Sequence, residues 1–146
     1  METLLDLYPA LAAYKIALVC LAVASLIALI QSFLSAPLAF VNEEQIPGEP
    51  LKHNHSKLSF RALRTYGNTV ENLPAFGFAL LMAVVAGAAA ATVNLLAVAY
   101  VIFRLAFWAV YYSGVGKVAG GPRTLMYVGG LLSNIALAVL AIYALI

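Results

Sequence analysis

Four long apolar blocks, separated by polar or glycine-rich stretches, set the pattern of the chain. From Ala10 to Leu34 the residues are apolar except for Lys15, Ser25, Gln31 and Ser32. A run of about 25 such residues can cross a hydrocarbon core of roughly 30 Å with some tilt. Residues 35–59 are polar, and Pro37, Pro47, Gly48 and Pro50 mark them as a long loop. Between Arg64 and Arg104 the only charged residue is Glu71. One helix over that stretch would be roughly 60 Å long, well beyond a bilayer of about 40–45 Å. The chain must therefore turn back, and Gly87–Asn94 (GAAAATVN) is the natural place. After a glycine-rich stretch, GVGKVAGGPR, a last apolar block opens at Pro122, where a missing N–H suits the first turn of a helix. The pattern predicts an all-α integral membrane protein, a four-transmembrane-helix bundle forming a single domain over 1–146. Its helices are expected at about 10–34, 60–87, 93–115 and 122–146, with the loop 35–59 on one side.

Composition narrows the class. Of 146 residues, 64% are hydrophobic and 10% charged, against about a quarter charged in soluble domains. A formal charge of +2 gives no reason to expect a nucleic-acid partner. The acidic N-terminal residues Glu2 and Asp6 and the long first block do not fit a cleavable signal peptide. The single cysteine, Cys20, sits in an apolar run and reads as an inert buried thiol. His53 and His55 form an HxH pair in the loop, but no third ligand stands at a plausible spacing. They read as solvated loop residues, and no metal site is expected. Lys52, Lys57, Arg61 and Arg64 flank the first loop, and Lys117 and Arg123 the third. The positive-inside rule then places these loops in the cytoplasm and both termini outside.

The chemistry concentrates in RALRTYGNTVENLPAF, residues 61–76. Arg64, Asn68 and Glu71 are spaced by four and three, so they share one helix face as the chain enters the apolar medium. Ionisable groups there are costly unless paired or held by a ligand. Counting from the helix ends places Glu71 and Arg104 at similar depth on antiparallel spans, and an ion pair between them is expected. Phe107, Trp108, Tyr111 and Tyr112 follow on the third span, where an interfacial aromatic belt is the plain reading. Tyr111, seven residues past Arg104, shares its face. Arg123 and Tyr127 stand one turn apart at the start of the fourth span. Arg64, Asn68, Tyr111, Arg123 and Tyr127 thus converge at the cytoplasmic end of the bundle. Such a site, with several cations and few anions, suits a small polar anion, with an apolar co-substrate arriving from lipid.

Three motifs in order resemble one known family. R-x3-N-x2-E-x2-P (Arg64, Asn68, Glu71, Pro74) is similar to the second-helix signature of the MAPEG proteins, the membrane-associated proteins in eicosanoid and glutathione metabolism. ENLPAF is especially like bacterial members. Arg104, Phe107 and Tyr111 on the third helix, and Arg123, Thr124 and Tyr127 opening the fourth, extend the match to about residues 56–140. Three features depart from the family pattern: the end of the first helix, IQSFLSAPL, carries no arginine, Phe107 stands where some members have a tyrosine or histidine, and the segment between Tyr111 and Arg123 is a few residues longer than in the eicosanoid enzymes. The resemblance implies a homotrimer in the bacterial inner membrane, with glutathione as thiol co-substrate between adjacent subunits near the cytoplasmic face. It implies that Arg64, Asn68 and Glu71 hold the peptide's charged ends, with Tyr111 and Tyr127 completing the pocket; Arg104 is expected beside them as a further substrate-binding residue. It also implies that Arg123 stabilises the glutathione thiolate for transferase or peroxidase chemistry on apolar electrophiles or lipid hydroperoxides. The competing reading is a non-enzymatic membrane protein, with a structural Glu71–Arg104 pair and a cavity for lipid or a small molecule.

Overall fold

A computed structural model describes residues 8–40, 43–46, 48–117 and 120–146. The described residues form a short helix α1 (Pro9–Ala12) and four long ones, α2 (Lys15–Phe40), α3 (Leu58–Val85), α4 (Ala90–Ser113) and α5 (Pro122–Leu145). All four long helices are long and apolar enough to cross a membrane. All the regular secondary structure among the described residues is helical. The loop that follows α2, the start of α3, the end of α4 and the start of α5 gather at one end of the bundle. The turn between α3 and α4 lies at the other, with α1.

The first span begins and ends differently from the sequence expectation, for two separate reasons. At its start the helix is interrupted at Ala13–Tyr14. Asn94 of α4 inserts here: the Ala17 N–H donates to Asn94 Oδ1 (2.9 Å), and Asn94 Nδ2 donates to the Ala13 carbonyl (2.8 Å). Those two backbone groups are the i→i−4 partners that a continuous helix would join. A side-chain amide therefore takes the place of one rung of the ladder, a recognised cause of helix breaks. The Tyr14 hydroxyl also donates to the Ala88 carbonyl in the α3–α4 turn. At its far end α2 continues through Pro37 to Phe40, six residues beyond the expected stop. Proline removes one N–H donor near the helix end, while Ala39, fully buried, holds the last turn in the core. The Gln45 and Glu43 amides then take the Ala39 and Phe40 carbonyls at 2.9 and 3.1 Å, satisfying terminal acceptors that would otherwise be orphaned.

Small residues let the helices approach closely. Ala17, Ala62, Ala83 and Ala97 are all fully buried, and lipid gives no hydrophobic drive beyond such packing. Phe76 of α3 stacks on Tyr100 of α4, with centroids 3.8 Å apart and planes 9° from parallel. Gly129 of α5 lies so close to Phe103 of α4 that a Cβ there would fall 2.4 Å from its ring. These contacts fix the rotation of α3, α4 and α5, and so decide which side chains meet at the loop end of the bundle.

Candidate functional site

A cleft of about 350 Å³ opens there, lined by Arg64, Asn68 and Glu71 of α3, Phe107 and Tyr111 of α4, and Arg123, Thr124 and Tyr127 of α5. Six of the seven substrate-site residues read from the sequence are in this lining. The α3 stripe reaches it because residues 64, 68 and 71 fall within one helix face. Thr65 and Thr69, on the opposite side, are buried and donate to the Arg61 and Thr65 carbonyls. Arg64 and Glu71 are exposed in the single chain. The Asn68 Oδ1 atom is buried, and among the described residues it has no hydrogen-bond partner.

Arg123 is the most constrained group of the cleft. It is buried, 7% exposed. Its Nη2 donates to the Lys117 carbonyl at 3.0 Å, its Nη1 lies 3.1 Å from His55 Nδ1, and its Cζ sits 4.6 Å from the centroid of the Tyr111 ring. Every one of these contacts is to a neutral acceptor or a π face. Among the described residues the ion pairs are Glu49–Lys52 (3.1 Å) and Glu44–Lys57 (3.5 Å), both at the loop end and neither in the cleft. The positive charge of Arg123 is therefore held in place without a bound carboxylate. The cleft as a whole presents two guanidiniums against the one carboxylate of Glu71.

Arg104 does not line the cleft, and the expected Glu71–Arg104 ion pair is not formed. Arg104 is buried behind Phe107, its Cζ 5.0 Å from that ring's centroid, and its Nη2 donates to Thr69 Oγ1 at 3.1 Å. Its Nε has no partner among the described residues. Matching depth on antiparallel helices was the basis of the expectation, but depth does not determine facing. Thr69 and Glu71 are two positions apart, a rotation of about 200° on a helix. With Thr69 turned inward to Arg104, Glu71 must turn outward.

His55 is the residue that sequence reasoning placed wrongly, as a solvated loop feature. Its Nδ1 meets both Arg123 and the Tyr111 hydroxyl (3.2 Å), and its ring packs edge-on against Phe60 at 4.9 Å. Arg61 puts it there. Arg61 Nη1 donates to the His55 and Ser56 carbonyls, both at 2.8 Å, and Nε and Nη2 reach the Tyr112 carbonyl at 3.3 and 3.2 Å. One guanidinium thus ties the loop to the last turn of α4, whose carbonyls lack helical partners. Gly114 caps that turn with φ +70°, and a Cβ there would fall 3.1 Å from Arg61 Cζ. The only advance signal was an arginine one turn into a helix that follows a long loop.

A family model described as MAPEG family matches residues 10–143, which includes every residue of the cleft. No curated protein and no solved structure matches the chain significantly. The family is one of membrane proteins of glutathione-related transferase and peroxidase types. Its helices here are long and apolar enough for four spans, and residues from each of the three motifs that resemble its signature meet in one cleft. The chain is a multi-pass membrane protein and belongs to the MAPEG family.

Proposed function

We propose that this protein is a membrane-bound, glutathione-dependent transferase or peroxidase that acts on apolar electrophiles or lipid hydroperoxides. The observation that carries the reading is the unneutralised guanidinium of Arg123 in the wall of a cleft that also offers Arg64, Asn68 and Glu71. Glutathione presents two carboxylates, an ammonium, peptide groups and a thiol. Arg64 suits a carboxylate, Glu71 the ammonium, and the unpartnered Asn68 Oδ1 a peptide N–H. The Tyr111 and Tyr127 hydroxyls add polar contacts. Arg123 favours the thiolate over the thiol by the attraction of a nearby cation. The cleft volume falls within the roughly 300–1,000 Å³ of small-molecule sites.

The thiolate attacks the electrophilic carbon, an S–C bond forms and the leaving group departs with its electron pair. With a hydroperoxide the O–O bond breaks instead, giving the alcohol and a sulfenic acid that a second glutathione reduces. Arg104, shielded by Phe107, orients the cleft wall and does not touch the ligand.

Assembly as a homotrimer belongs to the same proposal. Arg64 and Glu71 are exposed on the outer face of α3 in the single chain, where a charge against lipid is costly. An adjacent subunit would cover them and close the cleft. The loop end, with its excess of lysine and arginine, faces the cytoplasm of a bacterial inner membrane in this reading. The structural ion pair on which a non-enzymatic reading rested is absent among the described residues. Calorimetric titration of glutathione into detergent-purified protein tests the proposal. Saturable binding that Glu71→Gln and Arg64→Ala each weaken at least tenfold is expected; no binding to the wild type refutes it.

A further inference from the structure

Arg123 has only donors to offer, so the His55 nitrogen it meets must be an acceptor. The contact is a hydrogen bond when the imidazole is neutral, with its proton on Nε2 and a lone pair on Nδ1 that Arg123 shares with the Tyr111 hydroxyl. The surroundings agree. Charged and titratable groups face the ring from three helices: Arg61 and Arg64 from α3, Tyr111 from α4 and Arg123 from α5. No carboxylate is among them. Burial, followed by the Arg123, Arg64 and Arg61 guanidiniums, holds the imidazole below its ordinary range. Protonating Nδ1 would replace the acceptor with a donor and set a cation against the guanidinium. The other contacts of Arg123 are the Lys117 carbonyl and the face of the Tyr111 ring.

We propose that His55 is the positioning residue for Arg123: its neutral Nδ1 holds the guanidinium against Tyr111 at the cleft wall, and protonation of the ring releases it. The inference rests on the reading of Arg123 as the group that stabilises a thiolate, and it adds a regulator to that site. Thiolate formation then depends on two protonations, that of the thiol and that of His55. The sign follows from linkage. A histidine whose folded-state pKa is depressed binds fewer protons folded than unfolded, so the ordered loop gains stability as pH rises. That gain is complete above the ordinary imidazole value of about 6.5 and is lost as pH falls below it.

The chain has two histidines, so His53→Gln leaves His55 as the only imidazole for nitrogen NMR on purified full-length protein. The Nε2–H tautomer and a midpoint below the ordinary value are expected, moving upward in an added Arg123→Gln. An ordinary midpoint that Arg123→Gln does not move overturns the proposal. A second readout follows bound glutathione by its ultraviolet thiolate absorbance against pH. The wild type should lose thiolate along an acid limb steeper than one proton. His55→Asn, whose amide oxygen stands near the place of Nδ1 and does not titrate, should keep the neutral-pH signal with a one-proton limb. His55→Ala should lose most of it. Identical pH profiles in all three overturn the gate. If the NMR behaves as expected but the wild type forms no thiolate, the glutathione reading fails while the His55–Arg123 contact stands.

Discussion

Replacing Arg61 by alanine should unfasten the loop that carries His55 without unfolding the bundle. The side chain serves three carbonyls: His55 and Ser56 at 2.8 Å each, and Tyr112 through a fork at 3.2 and 3.3 Å. Hydrogen bonds from a charged donor are worth about 1.5–3 kcal/mol each, so three acceptors at the low end give roughly 4–5 kcal/mol. The site is only half-buried, and water can take over the Ser56 carbonyl and part of the others. A net local cost of about 2 kcal/mol is the working figure, which corresponds to roughly thirtyfold more frequent opening. The Ser56 and Lys57 amides report it, since they donate to Asn54 Oδ1 (3.0 Å) and the Asn54 carbonyl (3.1 Å) within the same loop. Their hydrogen exchange should accelerate by about that factor in Arg61→Ala, while amides in the middle of α3 and α4 stay slow. Arg61→Lys should be nearly as fast, because an ammonium keeps the charge but cannot span three carbonyls as the planar fork does. Exchange within about threefold of wild type in the alanine variant would refute the assignment of Arg61 as the clamp.

Two further substitutions separate a buried group that is orphaned from one that can re-pair. Thr69→Val removes the side-chain acceptor of Arg104, whose Nε already lacks a partner among the described residues. Interhelical hydrogen bonds in membranes average about 0.6 kcal/mol and reach about 1.7; a buried charged donor belongs at the upper end, so a loss of about 1–2 kcal/mol in denaturation from mixed micelles is expected. No change would mean that Arg104 is satisfied by another group. Asn94→Ala frees the Ala13 carbonyl and the Ala17 amide together, and these can bond to each other. It should join α1 and α2 into one continuous helix at a cost below about 1 kcal/mol. Carbon chemical shifts at Ala13 and Tyr14 that remain non-helical would contradict the insertion account.

The sequence made one face of one helix readable at a time. Arg64, Asn68 and Glu71 converge because their spacing alone puts them on one stripe, and Arg123 and Tyr127 are a turn apart for the same reason. What escaped depends on rotation between helices or on a loop. Arg104 and Glu71 match in depth, yet the inward turn of Thr69 sends them to different neighbours. Asn94 looked like a turn residue because nothing local shows that its amide will enter the backbone ladder of another helix. His55 offers no metal-ligand spacing in the sequence, and its partners are a guanidinium and a phenol far along the chain. Pro37 ended the predicted helix by local rule, and burial of Ala39 together with capture of two carbonyls carried it on.

The proposed function rests on Arg123 holding a glutathione thiolate in this cleft. Its most direct test is the ultraviolet difference spectrum of the purified protein on addition of glutathione at neutral pH, in wild type and Arg123→Ala. The wild type should show a saturable thiolate band that is lost in Arg123→Ala while glutathione still binds through Arg64, Asn68 and Glu71. A wild type that binds glutathione only as the thiol, or a band of undiminished size in Arg123→Ala, would contradict it.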